Sequence, residues 1–124
     1  MGIVSDTGII KDLAAYFQSI SSHFTFPIFT FFSAGLVNFI VPSGGGQWYI
    51  QGPLIIQSSL EMGIPLSKSI LAMAYGDQLT NMMQPFWALP LLGITGLKAK
   101  DILPYTLIMM LVGFIIFTVG LLAF

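Results

Sequence analysis

The chain has 124 residues, of which 56% are hydrophobic and 7% are charged, and its formal net charge is −1. Soluble domains carry about 25% charged residues, and a fold of this size cannot bury so much apolar surface. The composition therefore predicts a protein embedded in lipid. A chain without arginine and with little net charge is a poor candidate for binding nucleic acid. Because it also has no cysteine and one histidine, we expect no disulfide, no cofactor and no metal centre built on these residues.

Residues 1–23 form the first predicted segment. Apolar residues recur every three or four positions between Ile9 and Ile20, which is the pattern of an amphipathic helix. In so apolar a chain, we expect this helix to lie at the membrane surface. We expect His23, which ends the segment, to be an interfacial residue.

Residues 24–63 are predicted to form a re-entrant helical hairpin. Its first arm, from Phe24 to Val41, is uncharged and has about the minimum length of a membrane span. Pro42 ends this arm, because proline lacks an N–H donor and restricts the residue before it. The run of three glycines that follows predicts an irregular tip rather than a helix.

The second arm of the hairpin is predicted to be short. Pro53 is well placed as the first residue of a helix, and Gly63 is a plausible end. Backbone that is irregular at membrane depth occurs only where it is buried in protein or lines a cavity. We therefore expect the tip to reach into the membrane and to place a helix N-terminus beside it.

Residues 66–97 are predicted to form a broken transmembrane helix. The polar stretch from Tyr75 to Asn81 is predicted to interrupt it, with Gly76 as the residue after a helix end. Pro85 is predicted to restart the helix at its first position.

Residues 101–124 are predicted to form a final transmembrane helix, since they continue without a charge from Ile102 onward. Lys98 and Lys100 place the preceding loop in the cytoplasm by the positive-inside rule. The predicted fold class is thus an all-α, multi-pass membrane protein with an amphipathic helix, a re-entrant hairpin, a broken helix and a terminal span.

The two interrupted segments together predict an anion site. Secondary transporters build substrate sites where helix ends meet near the bilayer midplane, and a helix N-terminus carries about +0.5 charge. Neither interruption contains Lys or Arg, so a carboxylate would be held by helix ends and neutral side chains. The candidate binding residues are Ser43, Gly44, Gly45, Gly46, Gln47, Asn81 and Gln84.

Asp77 is the candidate residue for cation coupling. It is the only acidic or basic residue between Lys68 and Lys98, and a carboxylate at membrane depth is functional by default. It would bind a sodium ion together with backbone carbonyls at the helix break, or carry a proton. The alternative is a structural Asp whose carboxylate accepts backbone N–H bonds at the break, and the two roles are compatible.

Other functions fit these residues less well. The glycine run lacks the Gly-Lys-Ser/Thr sequence of a phosphate-binding loop. Intramembrane aspartyl chemistry requires two aspartates, and no second one lies in the interior of a predicted membrane segment of this chain, so we expect no enzyme. A channel with a re-entrant filter and a structural membrane subunit remain alternatives. Asn38 suits an interhelical hydrogen bond as well as a ligand. Trp48 and Trp87 suit packing as well as the apolar wall of a cavity.

Two long motifs carry a family resemblance: SAGLVNFIVPSGGGQWYIQGP, residues 33–53, and AYGDQLTNMMQPFWALPLLGI, residues 74–94. They resemble the C-terminal part of the bacterial short-chain fatty acid transporter family, the acetoacetate- and butyrate-type uptake carriers, and the similarity extends over nearly the whole chain. The resemblance implies secondary-active transport of a short-chain monocarboxylate across the inner membrane. If Asp77 couples transport to a cation, the carrier is a symporter that also moves a sodium ion or a proton.

Family members are several times longer than this chain. The resemblance therefore implies that the chain is a fragment that carries only the second of two inverted repeats. The first repeat would be a necessary partner, and we expect the full-length carrier to be a homo-oligomer in the lipid bilayer.

Overall fold

A computed structural model describes residues 12, 16 and 19–123. The predicted amphipathic helix at residues 9–20 lies largely outside this described part. Between residues 19 and 123 the chain forms helices and turns and no strand, which confirms the all-α class. The elements are α1 (Phe26–Ile40), α2 (Gly44–Met62), α3 (Leu66–Asn81), a 3-10 turn (Pro85–Ala88), α4 (Leu89–Thr95) and α5 (Ala99–Ala123).

Helix α2 begins at the glycine run, so the predicted irregular tip is wrong. Gly44, Gly45 and Gly46 form the first helical turn, and Pro53 lies inside the helix instead of starting it. Ser43 is the N-cap, with extended backbone and a side-chain oxygen that accepts the Gly46 N–H. A cap of this kind stabilises a helix by about 1 kcal/mol, which offsets part of the low helix propensity of glycine.

The end of α2 agrees with the prediction. Gly63 follows the helix with φ 67°, and its N–H bonds to the Leu60 carbonyl oxygen. This left-handed conformation favours glycine because a Cβ would be strained there. The turn through Gly63 and Pro65 then starts α3.

Helix α3 is continuous through the segment that was predicted to interrupt it. Tyr75–Asn81 is its second half, and the break comes later, at Met82–Gln84. Pro85 does begin the next helical turn. The prediction was wrong because the polar side chains of this segment serve contacts with the neighbouring helices while their backbone remains helical.

Helices α1 and α3 make the most extensive contact between elements. They approach at small residues, where a Cβ on Gly76 would overlap the Phe31 carbonyl oxygen and lie 2.7 Å from the Ala34 Cβ. Gly76 is therefore needed for close packing within the helix, and its predicted role as a helix end is wrong. Small residues let helices approach closely in this way in membrane proteins.

Helix α5 is the one described helix long and apolar enough to cross a membrane. Its 25 residues span about 37 Å, more than the ~30 Å hydrocarbon core. It contacts α3 through Tyr75 and Phe117, whose rings stack with centroids 4.4 Å apart, and through Leu121 against Ala72. Most of its other large apolar side chains are exposed. The predicted final helix is confirmed.

Candidate functional site

The candidate site begins at the N-terminus of α2. The Ser43 carbonyl accepts the first intrahelical bond, from the Gln47 N–H at 2.8 Å, and the Ser43 hydroxyl accepts the Gly46 N–H at 3.3 Å. The N–H groups of Gly44 and Gly45 have no intrahelical acceptor, because the first turn of any helix lacks one. Both glycines are exposed, so this helix end presents two backbone donors.

Asp77 lies beside this helix end. A Cβ on Gly44 would be 3.5 Å from Asp77 Oδ2, so glycine allows the carboxylate to approach the first turn of α2 closely. The other carboxylate oxygen, Oδ1, is buried and has no hydrogen-bond partner among the described residues. Asp77 also lines a pocket of about 210 Å³ with five other residues: Gly44, Trp48, Ile70, Met73 and Ala74.

The charges around the start of α2 and Asp77 determine which ligands the pocket can hold. The partial positive charge at the start of α2 faces the carboxylate of Asp77, and such an end favours a nearby anion. None of the six residues that line the pocket is a Lys or Arg, and its remaining wall is apolar. The pocket can therefore hold a small molecule that has one anionic end and one apolar end, provided that the charge of Asp77 is balanced.

A buried asparagine connects α1 to α3 next to the site. The Asn38 side chain, 0% exposed in α1, donates through Nδ2 to Thr80 Oγ1 and to Asn81 Oδ1, each at 2.8 Å. The same nitrogen lies 3.1 Å from the Asp77 backbone oxygen. Asn38 thus makes interhelical hydrogen bonds, one of the two roles that its position suggested.

The segment after α3 also contacts Asn38. Gln84 Nε2 donates to the Asn38 backbone oxygen at 3.4 Å, and Trp87 Nε1 donates to Asn81 Oδ1 at 3.3 Å. These bonds hold the break at residues 82–84 against the end of α1. Asn81 and Gln84 therefore lie on the Asn38 side of the site, and neither lines the pocket.

Gln47 occupies the interface between α1 and α2. Its Nε2 donates to the Ala34 backbone oxygen at 2.8 Å and to Gln51 Oε1 at 2.9 Å. Gln51 reaches Ser33 Oγ at 3.5 Å in turn. Both glutamines are fully buried. The amide donors of Gln47 are thus committed to protein acceptors and do not face the pocket.

The predicted residues therefore fall into three groups. Ser43, Gly44–Gly46 and Asp77 meet at the start of α2, and Asn81 and Gln84 meet at Asn38. Gln47 lies apart from both groups, between α1 and α2. Sequence reasoning did not identify Asn38 as the centre of the network. One feature of the sequence could have indicated this role. Asn38 is a lone amide in an otherwise apolar segment of a chain predicted to lie in lipid, and such residues usually hydrogen-bond to another helix.

The described residues contain no group of three or more His, Cys, Asp or Glu side chains that could hold a metal ion. The polar atoms around Asp77 are instead amide, hydroxyl and carbonyl groups. Oxygen atoms of this kind bind hard cations in preference to transition metals.

Comparison with known proteins identifies the family. A sequence model described as short chain fatty acid transporter matches residues 2–124. A protein of Escherichia coli (strain K12), named as a candidate short-chain fatty acid transporter, is 48% identical over 122 residues, which cover 98% of this chain and 28% of that protein. A protein of Haemophilus influenzae (strain ATCC 51907 / DSM 11121 / KW20 / Rd) with the same name is 46% identical over 119 residues, covering 96% of this chain and 27% of its own length.

No solved structure matches the chain significantly. The chain spans little more than a quarter of the length of the curated relatives that it matches. The family match extends over almost every residue, including both motifs around the α2 start and Asp77. The chain therefore belongs to the short-chain fatty acid transporter family, a family of transporters and not of enzymes.

Proposed function

We propose that this chain is the C-terminal part of a secondary-active carrier that takes up short-chain monocarboxylates, such as butyrate or acetoacetate, across the bacterial inner membrane. A sodium ion or a proton enters with the substrate. The first repeat of the carrier completes the site, and the full-length protein works as a homo-oligomer.

One observation carries this proposal: the carboxylate of Asp77 lies beside the exposed N-terminus of a 19-residue helix, at the polar end of a pocket with apolar walls. A helix N-terminus is a ready anion site. The apolar wall, formed by Trp48, Ile70, Met73 and Ala74, suits a short alkyl chain.

In the proposed complex the substrate carboxylate accepts hydrogen bonds from the N–H groups of Gly44 and Gly45, with Ser43 beside them. The alkyl chain lies along Trp48 and Met73. Asn81 and Gln84 act indirectly, because their hydrogen bonds with Asn38 hold the end of α1 next to the start of α2. Gln47 likewise orients α2 against α1 through the Ala34 carbonyl.

Coupling follows from the charge of Asp77. The substrate carboxylate and Asp77 together place two negative charges at the start of one helix, away from bulk water. Such a pair costs several kcal/mol unless a cation neutralises it. A cation bound at Asp77 therefore raises the affinity for the anion, and by linkage the anion raises the affinity for the cation.

The proposed membrane placement uses the same elements. Helices α1 and α2 form a re-entrant hairpin whose turn, at Val41–Ser43, lies at membrane depth. Helix α3, the break at residues 82–84 and α4 form a broken transmembrane element, and α5 spans the bilayer. The loop with Lys98 and Lys100 is cytoplasmic by the positive-inside rule.

The test is Asp77→Asn in the full-length protein, reconstituted into proteoliposomes. We expect this variant to lose accumulation of radiolabelled butyrate driven by a sodium or proton gradient, because the amide cannot carry the coupling charge. Exchange of butyrate across the membrane without a gradient should persist, since the helix end and the apolar wall remain.

Glu61→Gln is the matched control. Glu61 is an exposed carboxylate at the far end of α2, bonded to Gln57, and its loss should leave accumulation unchanged. Thermal melting of each purified variant separates a folding defect from a coupling defect. Normal accumulation by a well-folded Asp77→Asn protein would exclude Asp77 as the coupling residue.

A further inference from the structure

Three buried oxygen atoms near Asp77 have no hydrogen-bond partner among the described residues: Asn38 Oδ1, Gln47 Oε1 and Asp77 Oδ1. The Asn38 and Gln47 side chains are each 0% exposed. Buried polar atoms almost always have a partner, so three unpartnered atoms of one kind require an explanation. All three are acceptors.

The orientation of the two amides is fixed by their neighbours. The Asn38 nitrogen faces the Asp77 backbone oxygen and Asn81 Oδ1, and neither of these atoms can donate a hydrogen bond. The Gln47 nitrogen faces the Ala34 backbone oxygen and Gln51 Oε1, which also cannot donate. Rotating either amide would set oxygen against oxygen, so in both side chains it is the oxygen that lacks a partner.

Backbone and side-chain contacts connect the three residues to one another. Asn38 Nδ2 lies 3.1 Å from the Asp77 backbone oxygen, and the Asp77 carboxylate lies beside Gly44, one helical turn before Gln47. Gln47 binds the Ala34 carbonyl, which is also the helical acceptor of the Asn38 N–H. The three oxygens therefore come from three helices around a single turn of α1.

The chemistry of these atoms selects the ligand. An anion would be repelled by three oxygens, and a proton on Asp77 would leave both amide oxygens without a partner. A divalent cation is poorly matched, because it prefers more ligands and more negative charge than one carboxylate supplies. A monovalent hard cation matches neutral amide oxygens and one carboxylate, and it balances the single charge.

We propose that Asn38 Oδ1, Gln47 Oε1 and Asp77 Oδ1 are ligands of one sodium ion, bound at the junction of α1, α2 and α3. This inference rests on the proposed function and extends it, because it names the coupling ion and assigns two neutral amides to its site. It also assigns Gln47 to the cation site instead of the substrate site, because its side-chain nitrogen already donates two hydrogen bonds while its side-chain oxygen has no partner.

The experiment compares two buried glutamines of α2 in the full-length protein. Gln47→Met removes an unpartnered oxygen, whereas Gln51→Met removes an amide whose oxygen is already bonded to Gln47. Butyrate uptake and thermal stability are measured against sodium concentration, with choline holding the ionic strength constant. We expect Gln47→Met to raise the half-saturating sodium concentration about tenfold or more, and Gln51→Met to change it much less.

A third variant keeps the test decisive if Gln47→Met does not fold. Asp77→Asn keeps the shape of the side chain and removes the charge of the proposed site, so it should abolish stabilisation by sodium, whereas Glu61→Gln should leave it unchanged. No change in Gln47→Met, undiminished stabilisation of Asp77→Asn by sodium, or equal shifts in Gln47→Met and Gln51→Met would overturn the assigned ligands.

The ion itself is tested on the wild-type protein. Stabilisation and uptake that depend on sodium at constant pH support the site. Uptake driven by a pH gradient and indifferent to sodium would overturn it, while leaving Asp77 as a proton-coupling residue. Failure of the proposed function has a different signature, which is undiminished accumulation by Asp77→Asn.

Discussion

Gly76 of α3 and Ala34 of α1 meet so closely that a Cβ on Gly76 would lie 2.7 Å from the Ala34 Cβ. We expect Gly76→Ala to lower the free energy of unfolding by about 3 kcal/mol, because the added methyl forces the two helices apart. Titration with a denaturing detergent, followed by circular dichroism, measures the change.

Gly93→Ala is the control for this prediction. Gly93 is also helical, and nothing lies within 4 Å of the position that its Cβ would take. The substitution should leave stability unchanged or raise it by up to about 1 kcal/mol through helix propensity. Equal effects at the two positions would contradict the close packing of α1 on α3.

The Asn38 network predicts energetic coupling between α1 and α3. In a double-mutant cycle, Asn38→Leu and Thr80→Val should show an interaction energy of about 0.6 kcal/mol, a value typical of interhelical hydrogen bonds in membranes. Thr95→Val is the comparison, because the Thr95 hydroxyl bonds within α4 to Leu91. Coupling between Asn38 and Thr95 as large as that with Thr80 would indicate a general loss of structure.

The start of α2 provides a matched pair for substrate binding. A Cβ on Gly44 would lie 3.5 Å from Asp77 Oδ2, whereas a Cβ on Gly45 meets nothing within 4 Å. Gly44→Val should therefore raise the KM for butyrate about tenfold, or about 1.4 kcal/mol. Gly45→Val keeps its N–H donor and adds its side chain to open space, so it should raise the KM much less. Similar KM values in the two variants would show that the substrate does not bind on the Asp77 side of this helix end.

The lining of the pocket predicts discrimination against dicarboxylates. No Lys or Arg is among its six residues, so a second carboxylate would lie unpaired in the apolar part, at a cost of several kcal/mol. We expect excess succinate to leave butyrate uptake into proteoliposomes unchanged, while unlabelled acetoacetate competes. Strong inhibition by succinate would show that a cationic group outside this chain completes the site.

The proposed membrane placement predicts how a thiol reacts at the α1–α2 turn. The chain has no cysteine, so Ser43→Cys introduces the only thiol of this segment. A small methanethiosulfonate reagent should modify it, a polymer-linked maleimide should not, and butyrate should slow the small reagent. Lys98→Cys should react with the large reagent from the cytoplasmic side. Full labelling of Ser43→Cys by the polymer would place this turn outside the membrane.

The sequence predicted the helix ends that depend on local chemistry. Pro42 follows the end of α1, Gly63 has the left-handed conformation expected after α2, and Pro85 begins a new helical turn. Each residue restricts its own backbone, so its effect can be inferred without knowing the neighbours. The apolar run of α5 was equally clear, because length and composition alone define such a helix.

The predictions that failed depended on contacts between distant residues. Glycine runs usually disfavour helix, but Ser43 caps this one, and Gly44 admits Asp77. Polar residues after Tyr75 suggested a break, yet they continue α3 because Asn38, some forty positions earlier, binds them. The position of Asp77 at the start of α2 could not be predicted for the same reason, since the sequence placed that helix start at Pro53.

The close packing of α1 on α3 restricts how these two helices can move. Backbone meets backbone at Gly76, and one Asn38 amide bonds to two side chains of α3. Sliding either helix along the other would drive a methyl or a carbonyl into the facing chain and break these bonds together. We therefore expect the pair to move as a rigid body. In the proposed carrier, alternation of the site between the two membrane faces would come from tilting the α2 arm at Gly63, or from moving this whole unit against the rest of the protein.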